Sequence, residues 1–229
     1  MPEILRFENV NFFRNGMPIL QEISFEMQAG QSLAILGRNG AGKTTLFRCI
    51  AGLEECEGEI EASPGPLKNH LGLLLTDPFF FSKITGTEYI QLLCRARGID
   101  AGDVAARNIF ELPLHQYAST YSTGMKKKLA LTAILLQENT YFILDEPFNG
   151  VDIQSNIILT AIIHKLKALD KIVIISSHIF STLSDTCDEI HLLRKGQQIE
   201  TVQKDAFGQL ENEMKAQSVG NKIELLQLK

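Results

Sequence analysis

Apolar and polar positions change period several times along this chain, and each change marks an element. Residues 4–13 are rich in β-formers, and a turn follows at Arg14-Asn15-Gly16. Ile23, Phe25 and Met27 then alternate with Ser24 and Glu26, which predicts a half-buried strand ending at Ala29-Gly30. Together these segments predict an antiparallel β layer. At residues 32–36 the pattern becomes a short continuous apolar run, suited to a fully buried strand. Leu46, Phe47, Ile50 and Leu53 follow at helical spacing, with Gly52 suited to a helix end.

Residues 54–68 are rich in Gly and Pro and read as a loop holding a short strand at residues 59–61. Residues 71–75 form another apolar run, broken at Asp77-Pro78 and followed by Phe79, Phe80 and Phe81. Thr85 and Glu88 make a capping-box pattern that opens a helix through Tyr89, Leu92 and Leu93, stopped at Gly98. Further helical pieces are expected at residues 104–110, interrupted by Pro113, so residues 85–120 read as a small helical insertion without strands. Met125, Leu129, Ala133 and Ile134 mark the next helix, and residues 141–144 a buried strand ending in acid. An amphipathic helix carrying Ile153, Ile157, Ile158, Ala161, Ile162 and Leu166 leads to a strand at residues 172–175, with polar Ser176-Ser177-His178 at its end. Residues 190–193 and 198–202 flank Lys195-Gly196 as a closing hairpin, and a polar tail with scattered leucines runs from about residue 205. Alternation of strand and helix after residue 31 predicts a mainly parallel, doubly wound sheet whose ligand sits at the carboxyl ends of its strands.

Composition narrows the class. A chain of 229 residues suits one α/β domain spanning residues 1–229. With 27 acidic against 22 basic residues the net charge is −5, so no nucleic-acid partner is expected. Cys49, Cys56, Cys94 and Cys187 form no C-x-x-C pair, which favours reduced thiols in a cytosolic protein. No apolar run reaches the roughly 18 residues that span a bilayer. Met1-Pro2-Glu3-Ile4 lacks the basic and apolar regions of a secretion signal.

The chemistry begins at Gly37-Arg38-Asn39-Gly40-Ala41-Gly42-Lys43-Thr44, which fits G-x-x-x-x-G-K-[ST] at every fixed position, between the predicted strand and helix. Glycines let backbone N–H groups close around phosphate oxygens, and the helix start adds a positive dipole end. Gly37, Asn39, Gly40, Ala41, Gly42, Lys43, Thr44 and Thr45 are therefore the expected nucleotide contacts. Lys43 is expected to reach the terminal phosphates, and the Thr44 hydroxyl to ligate Mg²⁺. Asp145 and Glu146 end an apolar strand: the first suits the same cation, the second could polarise an attacking water. Their bland alternative is a pair of acids capping a strand.

The order of these motifs carries a resemblance. A phosphate loop, a helical insertion, the helix start Tyr121-Ser122-Thr123-Gly124-Met125, a strand ending in Asp145-Glu146 and a strand ending at His178 resemble the ATP-binding subunit of ABC (ATP-binding cassette) transporters over residues 3–202. The fold implied is an α/β P-loop NTPase with a mainly parallel sheet, an N-terminal antiparallel β layer and a short helical subdomain. The resemblance implies that Ser122 and Gly124 grip the ATP of an opposite protomer in a head-to-tail dimer. It implies a linking loop at Asn149-Gly150-Val151-Asp152, with Asp152 near the nucleotide, and a γ-phosphate contact at His178. Phe13 is the first choice for stacking on adenine, ahead of Phe12. The implied cofactors are ATP and Mg²⁺, and the implied partners are a like cassette and an integral membrane permease. Residence would be cytoplasmic, on the inner face of the membrane. The run Gly124-Met125-Lys126-Lys127-Lys128 resembles small bacterial export-type subunits.

Where the family carries Gln after the strand at residues 71–75, this chain has Thr76, whose hydroxyl can still serve the metal but with shorter reach. The signature's third residue is Thr123 instead of Gly. Lys126, Lys127 and Lys128 read as a solvated helix face. His70, His115, His164 and His191 are assigned no chemistry, and Tyr141 reads as core. The three phenylalanines at 79–81 divide between core packing and docking of the permease, with Phe80 and Phe81 the expected docking pair. Competing functions are a soluble ABC-type ATPase outside transport and a low-turnover regulatory module suggested by Thr76. A GTPase is disfavoured, because Asn221-Lys222-Ile223-Glu224 lacks the required Asp.

Overall fold

A computed structural model describes residues 3–63, 65–178 and 180–219. Of the tail expected from about 205, residues 220–229 lie outside the described ones, and Phe207–Val219 forms the helix α6. The first hairpin pairs β1 (Ile4–Arg14) with β2 (Met17–Gln28) across Arg14 and Met17. Its two turn residues, Asn15 and Gly16, take φ of 51° and 75°. This double left-handed turn matches the strands' own twist, and Asn-Gly adopts it readily. β1 also pairs on its other edge with β4 (Glu57–Ser63), which completes a three-stranded antiparallel sheet. That strand is longer than the residue 59–61 segment expected, and most of its residues face solvent. An edge strand dotted with glutamates discourages pairing with other chains and leaves little apolar alternation to read.

The second sheet has six strands in the order β5 (Leu71–Leu74), β6 (Tyr141–Asp145), β7 (Ile172–Ser176), β3 (Ser32–Leu36), β8 (Glu189–Arg194) and β9 (Gln197–Gln203). All neighbours are parallel except β8 and β9, which form a hairpin around Lys195-Gly196. β3, β6 and β7 are buried at every residue, as strands covered on both faces must be. Their side chains sort by period 2 into two cores. Leu33, Ile35, Tyr141, Ile143, Ile172 and Ile174 face a cluster shared with α1 (Lys43–Ile50) and the antiparallel sheet. Ala34, Leu36, Phe142, Leu144, Val173 and Ile175 face the cluster built with the other helices. Those include α2 (Gly86–Arg95), α3 (Thr123–Leu135), α4 (Ile153–Ala168) and α5 (Phe180–Thr186).

Thr85 caps α2 in a full capping box with Glu88, as its spacing predicts. The helical pieces expected at 104–110 are turns instead. The Asp103 side chain accepts from the N–H groups of Ala105 and Ala106, and Asp100 from that of Gly102. Asn108 likewise serves both the N–H and the carbonyl of Leu112. Short polar side chains that bond their own backbone offer it an alternative to helix.

One side chain fastens the two sheets. Tyr141 is fully buried on β6, and its hydroxyl donates to the carbonyl of Ser63 at 2.6 Å, with the carbonyl of Ile4 at 3.2 Å as second acceptor. Those carbonyls belong to β4 and β1. Tyr141→Phe keeps the ring and strands the acceptors. It should destabilise the fold by about 1–2 kcal/mol, read as a lower urea midpoint with an unchanged slope. An unchanged midpoint would remove the hydroxyl from the joint between sheets.

Candidate functional site

The carboxyl ends of β3, β5, β6 and β7 converge on one cleft of about 480 Å³. Between β3 and α1 the chain turns sharply through Gly37–Gly42. A Cβ on Gly37 would meet the carbonyl oxygen of Leu193 at 2.6 Å, so only glycine fits against β8 there. Gly40 and Gly42 take φ of 82° and 108°, and Gly42 caps α1 without a side-chain bond. The first turn of α1 is thus left to the cleft, whose wall includes residues 39–45. Lys43 is buried, and its ammonium donates to the Gly37 carbonyl at 2.7 Å. That bond folds the lysine back along its own loop.

Asp145 closes β6 and is fully buried. Thr44 and Thr76 donate their hydroxyls to its Oδ2 at 2.7 and 2.8 Å, and Ser176 donates to Oδ1 at 2.5 Å. Two hydroxyls and a carboxylate oxygen meeting at one point make an oxygen-only donor set, which suits a hard cation such as Mg²⁺. Among the described residues no cluster of His, Cys, Asp and Glu forms a separate metal site. Thr76, a metal-ligand candidate from the sequence, touches the same carboxylate oxygen as Thr44.

Glu146 follows at φ 50°, a left-handed conformation uncommon outside glycine. Its N–H donates to Ser176 Oγ at 2.9 Å, while its carboxylate lies 2.8 Å from His178 Nδ1 and 3.8 Å from Lys43 Nζ. Both acids line the cleft, Asp145 fully buried and Glu146 9% exposed. Arg14, Ile19 and Asn149 also line the cleft. Phe13 does not: it is 47% exposed on β1, and Phe12 is buried in the core beneath Arg14.

Ser122, Gly124 and Asp152 lie outside the cleft lining. Ser122 caps α3, its hydroxyl accepting from the N–H of Met125 at 3.2 Å. A Cβ on Gly124 would meet the Gly150 carbonyl at 2.5 Å, so α3 presses directly on the 149–152 loop. Asp152 caps α4, accepting from Ser155 N–H at 2.8 Å and from Lys128 Nζ at 3.1 Å. The Ser155 bonds first, and then Lys128, hold its carboxyl far below the ordinary range.

The lysine run is not a solvated face. Lys127 is 3% exposed, and its ammonium donates to the carbonyls of Glu146 and Asn149 at 2.8 and 2.9 Å. Burial lowers its pKa, an effect opposed by the charges of Glu146, Asp77 and Asp145. Ser176 and Lys127 join the site without a motif to mark them. Ser176 is the register partner of Asp145 across β6 and β7. Lys127 stands three and four residues before Ala130 and Leu131 on the buried side of α3.

Comparison with known proteins agrees with this arrangement. The family model for ABC transporters matches residues 20–149. The chain is 30% identical to the ABC transporter ATP-binding protein YhcH of Bacillus subtilis (strain 168), over 99% of this chain and 81% of that protein. It is 31% identical to the SkfA peptide export ATP-binding protein SkfE of the same organism, over 85% of this chain and 87% of that one. Among solved structures, an ATP-binding subunit of an ABC transporter superposes with a TM-score of 0.78 at 24% identity, covering 91% of this chain and 93% of that chain. A family match across most of the chain's first two-thirds and a relative matched along nearly its full length lead to one assignment: the chain belongs to the ABC transporter family, as an ATP-binding subunit with ATPase activity.

Proposed function

We propose that this subunit hydrolyses Mg-ATP in a head-to-tail dimer on the cytoplasmic face of a membrane and drives a separate permease that exports its substrate. The observation that carries the hydrolytic reading is the position of Glu146, a buried carboxylate bracketed by Lys43 and His178 at the mouth of the phosphate loop. Lys43 and the N–H groups of the loop bind the phosphates. Thr44, Thr76 and Asp145 would hold Mg²⁺, which when bound neutralises phosphate charge. Glu146 accepts a proton from the attacking water, and His178 orients its carboxylate. Glu146→Gln should retain ATP affinity and lose about 10²–10⁴-fold in hydrolysis. Phosphate release at saturating Mg-ATP, with equilibrium binding alongside, checks this. Hydrolysis at the parental rate would exclude Glu146 as the base.

The dimer is supported by what the cleft lacks. Ser122 and Gly124 build a capped helix start, yet neither lines the chain's own cleft. A second copy facing the opposite way brings that helix start to the nucleotide, where its dipole and N–H groups bind anions. Ser122→Arg should then abolish turnover while leaving ATP binding to the isolated protomer intact. Full activity in this variant would rule out a composite site.

Export is supported by likeness to the peptide-export protein SkfE. Among the described residues no helix is long and apolar enough to cross a membrane, in keeping with a peripheral subunit. The surface offered to a permease differs from the sequence expectation. Phe80 packs against Tyr89, with ring centroids 4.5 Å apart. Phe79 and Phe81 are 73% and 54% exposed and meet edge to face at 5.2 Å. Paired exposed aromatics are the usual anchors of an interface. The double variant Phe79→Ala/Phe81→Ala should lose co-purification with the membrane fraction while keeping basal ATPase activity. Undiminished membrane association would set this surface aside.

A further inference from the structure

Glu146 is held at three places, and one of the holding groups comes from an unexpected element. Its N–H is bound by Ser176, and its carboxylate is flanked by His178 and Lys43. Its carbonyl is bound by Lys127, which lies on α3 five residues after Ser122. The same ammonium binds the carbonyl of Asn149, so both ends of the short 146–149 segment hang on one side chain. Both residues line the cleft. Leu74, Phe110, Pro147 and Val151 line the same small cavity as the lysine, and the two nearby donors, Lys128 and Ser155, are turned to Asp152 instead.

We propose that Lys127 is a positioning residue for ATP hydrolysis: it ties the helix that begins at Ser122 to the main chain that aims the Glu146 carboxylate. The physical argument starts from the φ of 50° at Glu146. A non-glycine residue keeps that conformation only where its surroundings over-determine it. Rotation of the 146–147 peptide swings the Glu146 carbonyl, and the side chain moves with the same backbone. Two charge-assisted bonds from one buried ammonium oppose that rotation. With Lys127 3% exposed, bulk water screens these bonds little. The close approach of Gly124 to Gly150 keeps α3 at the distance the lysine spans.

The proposal rests on the reading of Glu146 as the base, and the test separates the two. Lys127→Met, Glu146→Gln and the double variant are compared in the full chain by steady-state Mg-ATP hydrolysis, titration with a fluorescent ATP analogue and thermal melting. Lys127→Met keeps the length and apolar stem of the side chain but donates nothing. A base displaced by about an ångström costs on the order of 10²-fold, so kcat should fall by about 10- to 100-fold while KM and analogue affinity stay at the parental level. If Lys127 acts through Glu146, adding Lys127→Met to Glu146→Gln should cost nothing further, because groups working as one unit are not additive. Multiplying effects in the double variant, or a loss carried by affinity, would identify a merely structural lysine and overturn the proposal. So would a parental kcat in Lys127→Met while Glu146→Gln is inactive, which leaves the base in place. Parental hydrolysis by Glu146→Gln removes base and proposal together. A Lys127→Met protein that does not fold is replaced by Lys127→Leu, which likewise donates nothing, held to the same criteria.

Discussion

A carboxylate buried at the end of a dry strand has no water to satisfy it, so its donors must come from neighbouring elements. Asp145 meets this requirement with Thr44 from α1, Thr76 from the segment after β5 and Ser176 from β7. One side chain therefore joins three elements at the carboxyl end of the sheet. The arrangement couples fold and site. Parallel strands bring these ends together on one side, and the acid fixes how they sit. A bound cation would draw on the same oxygens, so the hydroxyls that satisfy Asp145 include those that would hold Mg²⁺.

The sheet that carries Asp145 is itself gripped from both faces. Successive residues of β6 send Tyr141 and Ile143 to one core, and Phe142 and Leu144 to the other. The helix following the phosphate loop sits in the first of these, between the parallel and antiparallel sheets, through Leu46, Phe47 and Ile50. That position explains why the N-terminal β layer matters to the loop. Ile19 and Leu20 of β2 bear directly on Gly42, where an added Cβ would come within 3.2 and 3.0 Å of them. The layer that supplies Arg14 and Ile19 to the cleft wall also limits the shape of the loop's last turn.

Legibility in the sequence follows from which forces act locally. The strands at 32–36 and 141–145 announce themselves because both faces are covered and polar residues are excluded. β4 showed only its middle, since a solvent-facing edge strand has no apolar period. The turns at 104–110 carry a helical spacing of apolar residues, but Asp100, Asp103 and Asn108 bind the backbone there in place of a helix. The phosphate loop and the acids could be named from spacing alone. The tie between Lys127 and the 146–149 segment could not. Its acceptors are main-chain carbonyls 19 and 22 residues away, and a carbonyl has no letter in a sequence. Three lysines in a row look solvated until the helix they belong to is known to be buried on the side that Lys127 occupies.

The same tie bears on how the cleft and the helix start at Ser122 could act together. In a head-to-tail dimer the Ser122 helix start would meet a nucleotide held by the other copy, while Glu146 serves the chain's own. Between them lie two contacts that tolerate little play. Gly124 is pressed on the Gly150 carbonyl, and Lys127 holds the carbonyls on either side of residues 147 and 148. Packed interiors shift between discrete arrangements more readily than they stretch. A displacement of α3 by a ligand at Ser122 would then reach Glu146 as a rotation of its backbone, through bonds that exist before any nucleotide binds. Coupling of this kind needs no movement of the sheet, because the other acid, Asp145, is anchored separately by Thr44, Thr76 and Ser176. The adjacent carboxylates thus answer to different supports: one to the sheet and its hydroxyls, the other to the helix that would face a partner.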